Sequence, residues 1–197
     1  MKDKGCMILS DRDIKKAILQ GRITITPKPD FTIQLGPCSI DLHLGSHFQV
    51  FKHSSYPFVD LKSGVDTKAI MKEIVVPKGE PFIMQPRDFA LVTTVENLKL
   101  ADDIVGRIEG RSSLGRLGII VHGTASIFDP GWDGKPTMEL GNLGVMPVAL
   151  YPGMRVCAFT FEDLSSPSEK PFNRNKAHNI YHKQKNARPK ITKKTIF

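Results

Sequence analysis

Residues 110–142 hold most of the side chains whose types and spacing suit chemistry: GRSSLGRLGIIVHGTASIFDPGWDGKPTMELGN. Near the start of this segment, two arginines and two serines stand among glycines: Arg111, Ser112, Ser113 and Arg116. Guanidinium and hydroxyl donors on a flexible backbone predict a loop that binds an anion. The same residues also fit a polar turn whose serines cap a helix, and the spacing leaves both interpretations open.

Residues 137–140 are typical of a strand that presents a carboxylate. If Met138 and Leu140 face the core, Thr137 and Glu139 share the opposite face. A carboxylate that projects from a strand into a pocket is a candidate general base. The alternative is an ordinary surface glutamate, and the pattern alone does not exclude it.

The run Asp129-Pro130-Gly131 predicts a tight turn, because proline and glycine stand where a reversal favours them. An aspartate at this position often stabilises its own turn. It can also direct its carboxylate at a sugar hydroxyl. Spacing does not decide between these two roles for Asp129.

One helix is predicted near the start of the chain. Ser10 can cap its first turn, with Asp13 three residues further on, and Gly21 can end it. The apolar stripe of this helix is predicted from three residues, Ile14, Ile18 and Leu19.

The rest of the body shows strand periodicity. Ile40, Leu42 and Leu44 alternate with polar residues. Further short apolar runs, nearly all separated by Gly, Pro, Asn or Asp, are predicted as strands at 73–76, 82–84, 89–94, 104–108, 119–122, 137–140, 147–151 and 155–161. Many short strands predict a mostly β fold such as a sandwich, jelly roll or barrel. Residues 66–73 are predicted to add a short helix.

The net charge of +8 is confined to the end of the chain. Residues 171–197 contain eight basic and no acidic residues, and removing these eight from 28 leaves 20 basic against 20 acidic residues. The chain is therefore predicted to have one domain at 1–170 and a basic tail at 171–197. This tail fits a nucleic-acid contact, a cover over a polyphosphate or a solvated end.

Cysteine usage and hydropathy indicate the compartment. Cys6, Cys38 and Cys157 are scattered, with no CxxC pair, which argues against a disulfide framework and favours a reducing cytoplasm. The sequence contains no run of about 18 apolar residues, so no membrane span is predicted.

The central run GRSSLGRLG, VHGTA and DPGW, followed by Glu139 and Asn142, closely resembles the signature of the dCTP deaminase family. The stretches ILSDRDIKKAILQGRITITP, CSIDLHLG, QPRDFALVTTVENLKLADDIVGRIEG and PVALYPGM resemble the same family in the same order. The resemblance covers about residues 8–172. It implies a distorted jelly-roll, β-clip fold like that of dUTPases and a homotrimer with active sites between subunits.

The resemblance also implies roles for individual residues. Glu139 corresponds to the glutamate that activates the attacking water, and Ser112 and Arg116 surround the reacting base. Ala125 stands where a backbone carbonyl helps to position the water. His122 corresponds to a histidine that, in some relatives, responds to an inhibitory thymidine nucleotide such as dTTP.

The implied substrate-binding set is larger. Asp129 corresponds to the residue at the deoxyribose, and 137–139 to the strand along the pyrimidine. The full set is Arg111, Ser112, Ser113, Leu114, Gly115, Arg116, Asp129, Thr137, Met138, Glu139, Phe172 and Gln184.

Metal use is predicted from motifs and substrate. Zinc deaminases carry an H-x-E and P-C-x-x-C signature. Here Pro37-Cys38 lacks the second cysteine, and the chain contains no H-x-E, so a zinc-independent reaction is expected. A triphosphate normally arrives with Mg²⁺, held mostly by phosphate oxygens and water.

The tail departs from the family pattern. Phe172 stands where the family usually has a tyrosine, and Ile180 occupies the position of a lysine that closes over the phosphates. Gln184 keeps its match, and Lys176 and Lys183 are candidates to replace the missing lysine.

Three functions are therefore weighed. The first is a dCTP deaminase that releases dUTP and ammonia in pyrimidine deoxynucleotide metabolism. The second is a bifunctional enzyme or a dUTP diphosphatase that yields dUMP. The third is a non-catalytic nucleotide or nucleic-acid binder, which is disfavoured because the tail has few aromatic residues for base stacking.

Overall fold

The computed structural model describes residues 7–52, 58–62, 66–174 and 180–190. These residues form three helices: α1 (Asp11–Leu19), α2 (Thr67–Ile70) and α3 (Ser112–Gly115). They also form thirteen strands: β1 (Ile23–Thr26), β2 (Ile40–Phe51), β3 (Met71–Val75), β4 (Phe82–Met84), β5 (Phe89–Thr94), β6 (Asn97–Leu100), β7 (Ile104–Gly110), β8 (Ile119–Ile120), β9 (Ile127–Phe128), β10 (Asp133–Gly134), β11 (Thr137–Asn142), β12 (Val148–Leu150) and β13 (Arg155–Asp163). The predicted mostly β fold is confirmed.

The strands form one large antiparallel sheet and two small ones. The large sheet has eight strands in the order β8-β11-β5-β2-β13-β7-β9, and β3 also pairs with β2. The small sheets are β1-β6-β10 and β12-β4. The register of β2 against β5 shifts between Leu44 and Phe48, and such an irregularity bends a strand. Because β2 is twelve residues long, it can pair with three different partners.

Alternation in β2 builds the core as the sequence predicts. Ile40, Leu42 and Leu44 have no exposed surface, while the residues between them are partly exposed. Phe159 and Phe161 on the neighbouring β13 are equally buried. Apolar burial of this kind supplies most of the favourable free energy of folding.

Helix α1 begins where the sequence predicts. The Ser10 Oγ accepts a hydrogen bond from the Asp13 backbone N–H and donates one of 2.9 Å to the Asp13 carboxylate. Gly21 has φ +70°, the left-handed conformation that commonly follows a helix C-terminus. The predicted stripe is wrong at Leu19, which is 84% exposed. At about 100° per residue, Leu19 lies about 140° from Ile14 around the helix and therefore points away from the core. Ala17 is buried beside Ile14 instead.

The region 66–76 differs in detail from the prediction. The helix there has only four residues, α2, with the Asp66 side chain accepting from the Lys68 N–H. Met71 is already extended, so β3 begins two residues before the predicted strand. Strands β1, β6, β9 and β10 were not predicted. The alternating burial of β1 shows that its ITIT pattern carried a strand signal.

No helix among the described residues is long and apolar enough to cross a membrane.

Candidate active site

A cavity of about 330 Å³ lies beside β11. It is lined by residues of the predicted domain at 1–170 and of the tail at 171–197. Six of its lining residues were predicted as site residues: Ala125, Asp129, Thr137, Glu139, Phe172 and Gln184. Seven others were not: Leu91, Ile127, Phe128, Trp132, Tyr181, Ala187 and Pro189. Residues up to 98 positions apart in the sequence meet here, since the lining runs from Leu91 to Pro189.

Glu139 projects into this cavity because β11 alternates. Met138 and Leu140 are fully buried on one face, while Thr137 and Glu139 lie partly exposed on the other. The backbone N–H of Glu139 donates to the Val121 carbonyl at 2.9 Å. The predicted orientation of this strand is therefore confirmed. The side chain of Met138 faces the core, so only its backbone is available to a ligand.

Within the described ranges, the Glu139 carboxylate accepts one hydrogen bond. The backbone N–H of Gly123 lies 2.9 Å from its Oε2. A Cβ at position 123 would lie 3.2 Å from the same oxygen, tighter than most real contacts. Glycine at this position therefore lets a loop amide approach the carboxylate and fix one oxygen.

The turn at Asp129-Pro130-Gly131 forms as predicted. The Trp132 N–H donates to the Asp129 carbonyl at 3.0 Å, and Gly131 has φ +80°, which a type II turn requires at its third residue. The Asp129 side chain is exposed and lines the cavity. Its carboxylate is therefore accessible to a ligand.

Aromatic rings build one wall of the cavity. The rings of Phe128 and Trp132 meet edge to face at 4.9 Å, and Trp132 lies 5.1 Å from Phe172. The Phe172 N–H donates to the Pro130 carbonyl at 2.7 Å. The departure from tyrosine at position 172 thus places a buried phenyl ring against the indole. The beginning of the tail is joined to the turn of Asp129.

Gln184 connects the tail to β11. Its buried side chain donates to the Thr137 hydroxyl at 2.8 Å and to the Lys135 carbonyl at 2.9 Å. The Lys135 N–H in turn donates to the Gln184 carbonyl at 3.1 Å. Tyr181 and Ala187, on either side of Gln184, complete the wall. Lys176 lies outside the described residues.

The loop 111–116 does not line this cavity. Ser112, Ser113 and Arg116 are exposed, while Leu114 is buried and anchors the loop in the core. The residue at the N-cap position of α3 is Arg111, whose side chain makes no capping bond. The interpretation of serines as helix caps is therefore wrong, and their hydroxyls face solvent.

His122 and Ala125 lie on either side of the Gly123 backbone. Ala125 is exposed and lines the cavity. His122 is half-buried, and its Nδ1 atom is buried with no hydrogen-bond partner among the described residues. No group of three or more His, Cys, Asp or Glu side chains within the described ranges is arranged to hold a metal ion.

Comparison with known proteins gives consistent results. The model of the family described as dCTP deaminase-like matches residues 8–164. A dCTP deaminase of Thermomicrobium roseum is 60% identical over 183 residues, covering 93% of this chain and 92% of its own length. A dUMP-forming dCTP deaminase of Methanosphaera stadtmanae is 52% identical over 165 residues, covering 84% and 83%.

The fold is also found in a solved structure. The crystal structure of 2′-deoxycytidine 5′-triphosphate deaminase from Agrobacterium tumefaciens matches with a TM-score of 0.63 and 20% identity. The match covers 81% of this chain and 49% of that one, so this chain spans about half of its length. The family match over most of the chain and the two close relatives together show that the chain belongs to the dCTP deaminase-like family.

Proposed function

We propose that this protein catalyses the hydrolytic deamination of dCTP to dUTP and ammonia. The observation that carries the proposal is Glu139, presented by β11 into a cavity and held by the Gly123 amide. The two close relatives, both called dCTP deaminases, support the choice of substrate.

Glu139 acts as the general base. It removes a proton from a water molecule as the water oxygen attacks C4 of the cytosine ring. The same proton can be relayed to N3, and a second proton passes from the added hydroxyl to the amino group, which leaves as ammonia. The C4–N bond breaks and a C4=O bond forms, so no oxidant or reductant is required. The Ala125 carbonyl, beside the cavity, is the proposed acceptor that orients the water.

The cavity can accommodate a deoxynucleoside through contacts of two kinds. The exposed carboxylate of Asp129 is placed to accept a hydrogen bond from the deoxyribose hydroxyl. Thr137 and Gln184, already bonded to each other, offer polar groups at the pyrimidine edge. The rings of Phe128, Trp132 and Phe172 supply the apolar wall that such pockets commonly have.

We assign the loop 111–116 to the site of a neighbouring subunit. Its exposed donors, Ser112, Ser113 and Arg116, do not line the cavity of their own chain. A homotrimer in which each loop completes the next cavity would bring Ser112 and Arg116 to Glu139. Closed cyclic symmetry permits such an arrangement, because each subunit then gives and receives one loop.

The triphosphate would arrive with Mg²⁺. We expect such an ion to be held mostly by phosphate oxygens and water. Water activation is assigned to Glu139 without zinc. Lys183, exposed beside Gln184, is the tail residue that we assign to contact with the phosphates.

A second product has a specific basis. Relatives from Methanosphaera stadtmanae, at 52% identity, and Dictyoglomus thermophilum, at 49%, are called dUMP-forming. A bifunctional reaction would add hydrolysis of the triphosphate after deamination and release dUMP with pyrophosphate. Asp129 and the donors of the loop 111–116 suit both reactions.

His122 is the proposed contact for regulation by a thymidine nucleotide. Its buried Nδ1, which has no hydrogen-bond partner in the part of the chain that the structure describes, lies one residue from Gly123. A shift of the imidazole can therefore displace the amide that holds Glu139.

Chromatography of products tests the proposal. The protein is incubated with dCTP and Mg²⁺, and ammonia is measured in parallel. Release of dUTP and ammonia supports the first reaction, and dUMP with pyrophosphate supports the bifunctional one. Unchanged dCTP would refute both.

A further inference from the structure

The side chain of Arg111, the first residue of the loop 111–116, contacts strands β2 and β13. One of its terminal nitrogens lies 3.3 Å from the Asp41 Oδ2, and the other donates to the Arg155 carbonyl at 3.2 Å. The side chain is 27% exposed, so part of the guanidinium still faces solvent. These two contacts leave other N–H donors of its planar fork available to a phosphate.

Asp41 holds a second guanidinium with the same oxygen. The Arg155 side chain lies 3.2 Å from the Asp41 Oδ2 and also donates to the Ile33 carbonyl. Two cations that share one carboxylate oxygen are close enough to repel each other once its charge is removed. The position of the Arg111 guanidinium therefore depends on the Asp41 charge.

A nearby ion pair provides a comparison. Arg107 of β7 contacts Glu162 of β13 at 2.7 Å. The side chain of Arg107 is 37% exposed and that of Glu162 is 19% exposed. Arg155 and Asp41 have almost the same exposures, 39% and 17%. The two pairs differ because the Asp41 carboxylate also holds the arginine at the start of the loop 111–116.

We propose that Asp41 and Arg155 are positioning residues that fix the Arg111 guanidinium for contact with the phosphates of the nucleotide. This inference rests on the nucleotide-binding role given to the loop 111–116 in the proposed function. Neither Asp41 nor Arg155 lines the cavity that holds Glu139. Their effect is therefore expected on nucleotide binding and not on the chemical step.

Binding is measured by calorimetry with dCTP and Mg²⁺ in a Glu139→Gln background, where turnover does not interfere. Asp41→Asn keeps the side-chain shape and removes its charge, and it is expected to weaken binding about tenfold. Arg111→Met should have a similar effect. Because Asp41 acts through Arg111, adding Asp41→Asn to Arg111→Met should cause no further loss. Glu162→Gln, the matched control, should leave dCTP affinity unchanged.

The outcomes separate the two proposals. If the losses from Asp41→Asn and Arg111→Met multiply, or if Glu162→Gln weakens binding equally, the positioning role is overturned. Absence of nucleotide binding by the unmodified chain would overturn it too. If Asp41→Asn does not fold, Arg155→Met takes its place in the same cycle. A chain that binds dCTP but does not deaminate it would refute only the proposed function.

Discussion

The backbone N–H of Gly123 and the Oε2 of Glu139 are joined by a 2.9 Å hydrogen bond across sixteen residues of sequence. A Cβ at the same glycine would lie 3.2 Å from that oxygen, so a side chain there would require the carboxylate to shift by a few tenths of an ångström. The contact gives the proposed general base one fixed oxygen. Its other oxygen accepts no hydrogen bond from the residues that the structure describes and is the one assigned to the attacking water.

Substitution of Gly123 tests this arrangement. In Gly123→Ala the methyl group pushes the Glu139 carboxylate away from the attacking water, and we expect kcat for dCTP to fall about tenfold or more. The KM should change little, since the groups proposed to bind the sugar and phosphates are untouched. Steady-state kinetics measures both constants.

Thr124→Ala is the control for this substitution, because Thr124 is an exposed neighbour in the same loop. It should retain wild-type kinetics. If kcat fell equally in the two variants, the effect would come from the loop as a whole. That result would contradict a specific role for the Gly123 amide.

The proposed sharing of sites between subunits predicts complementation between inactive variants. Glu139→Gln and Arg116→Ala should each be inactive, but unfolding and refolding them together should restore activity. Random mixing in a trimer leaves about one quarter of the sites with both intact residues. Light scattering should give about 66 kDa, three times the 21.9 kDa chain. Mixed protein without activity, or a fully active monomer, would exclude this arrangement.

The tail is predicted to act in nucleotide binding. Truncation after Arg174 keeps Phe172 against Trp132 but removes Gln184 and its bond to Thr137. The KM for dCTP should rise about tenfold while the melting temperature changes by only a few degrees. The increase should be smaller for dCMP, which has fewer phosphate oxygens, and smaller at high salt, where charge contacts are screened.

Truncation after Lys190 provides the control for the tail, because it removes basic residues but keeps Gln184. Its KM for dCTP should stay near that of the full chain. If the truncation after Arg174 leaves the KM unchanged and abolishes salt-sensitive binding to DNA or RNA, the tail is a nucleic-acid arm. If it changes neither property, the tail is a solvated end.

The Cys157 thiol is predicted to be unreactive in the folded protein. Burial raises the pKa of the Cys157 thiol, and the nearby Glu96 and Asp41 carboxylates raise it further, so the thiolate is suppressed below its usual population. Iodoacetamide at pH 8 should label the exposed Cys38 and spare Cys157, and both should react after denaturation. Peptide mass mapping distinguishes the two sites. Equal labelling in the native protein would contradict this.

Local patterns predicted much of the fold and part of the site. The alternation of apolar and polar residues from Ile40 onward identified β2. The same two-residue period placed Glu139 on the face of β11 away from Met138. Ser10 and Gly131 were predictable because capping and turn conformations are fixed within a few residues. The assignment of a catalytic role to Glu139 came from resemblance, since strand period alone allowed a surface glutamate. The individual roles of the site residues stay predictions.

Contacts between distant segments were not predictable from one sequence. The pairing of Arg111 with Asp41 spans 70 positions, and the bond from Gln184 to Thr137 spans 47. No periodicity encodes such contacts, because they depend on which strands become neighbours. Leu91 was missed for the same reason: its place opposite Glu139 depends on the register between β5 and β11.

Oxygen transfer from water to the base tests the central claim most directly. Wild-type protein and Glu139→Gln are incubated with dCTP and Mg²⁺ in ¹⁸O-labelled water, and the products are analysed by mass spectrometry. The account predicts one ¹⁸O in the uracil ring with release of one ammonia, and a loss of at least about 10³-fold in rate for Glu139→Gln. Label found only in phosphate, or near-normal labelling of the base by folded Glu139→Gln, would contradict it.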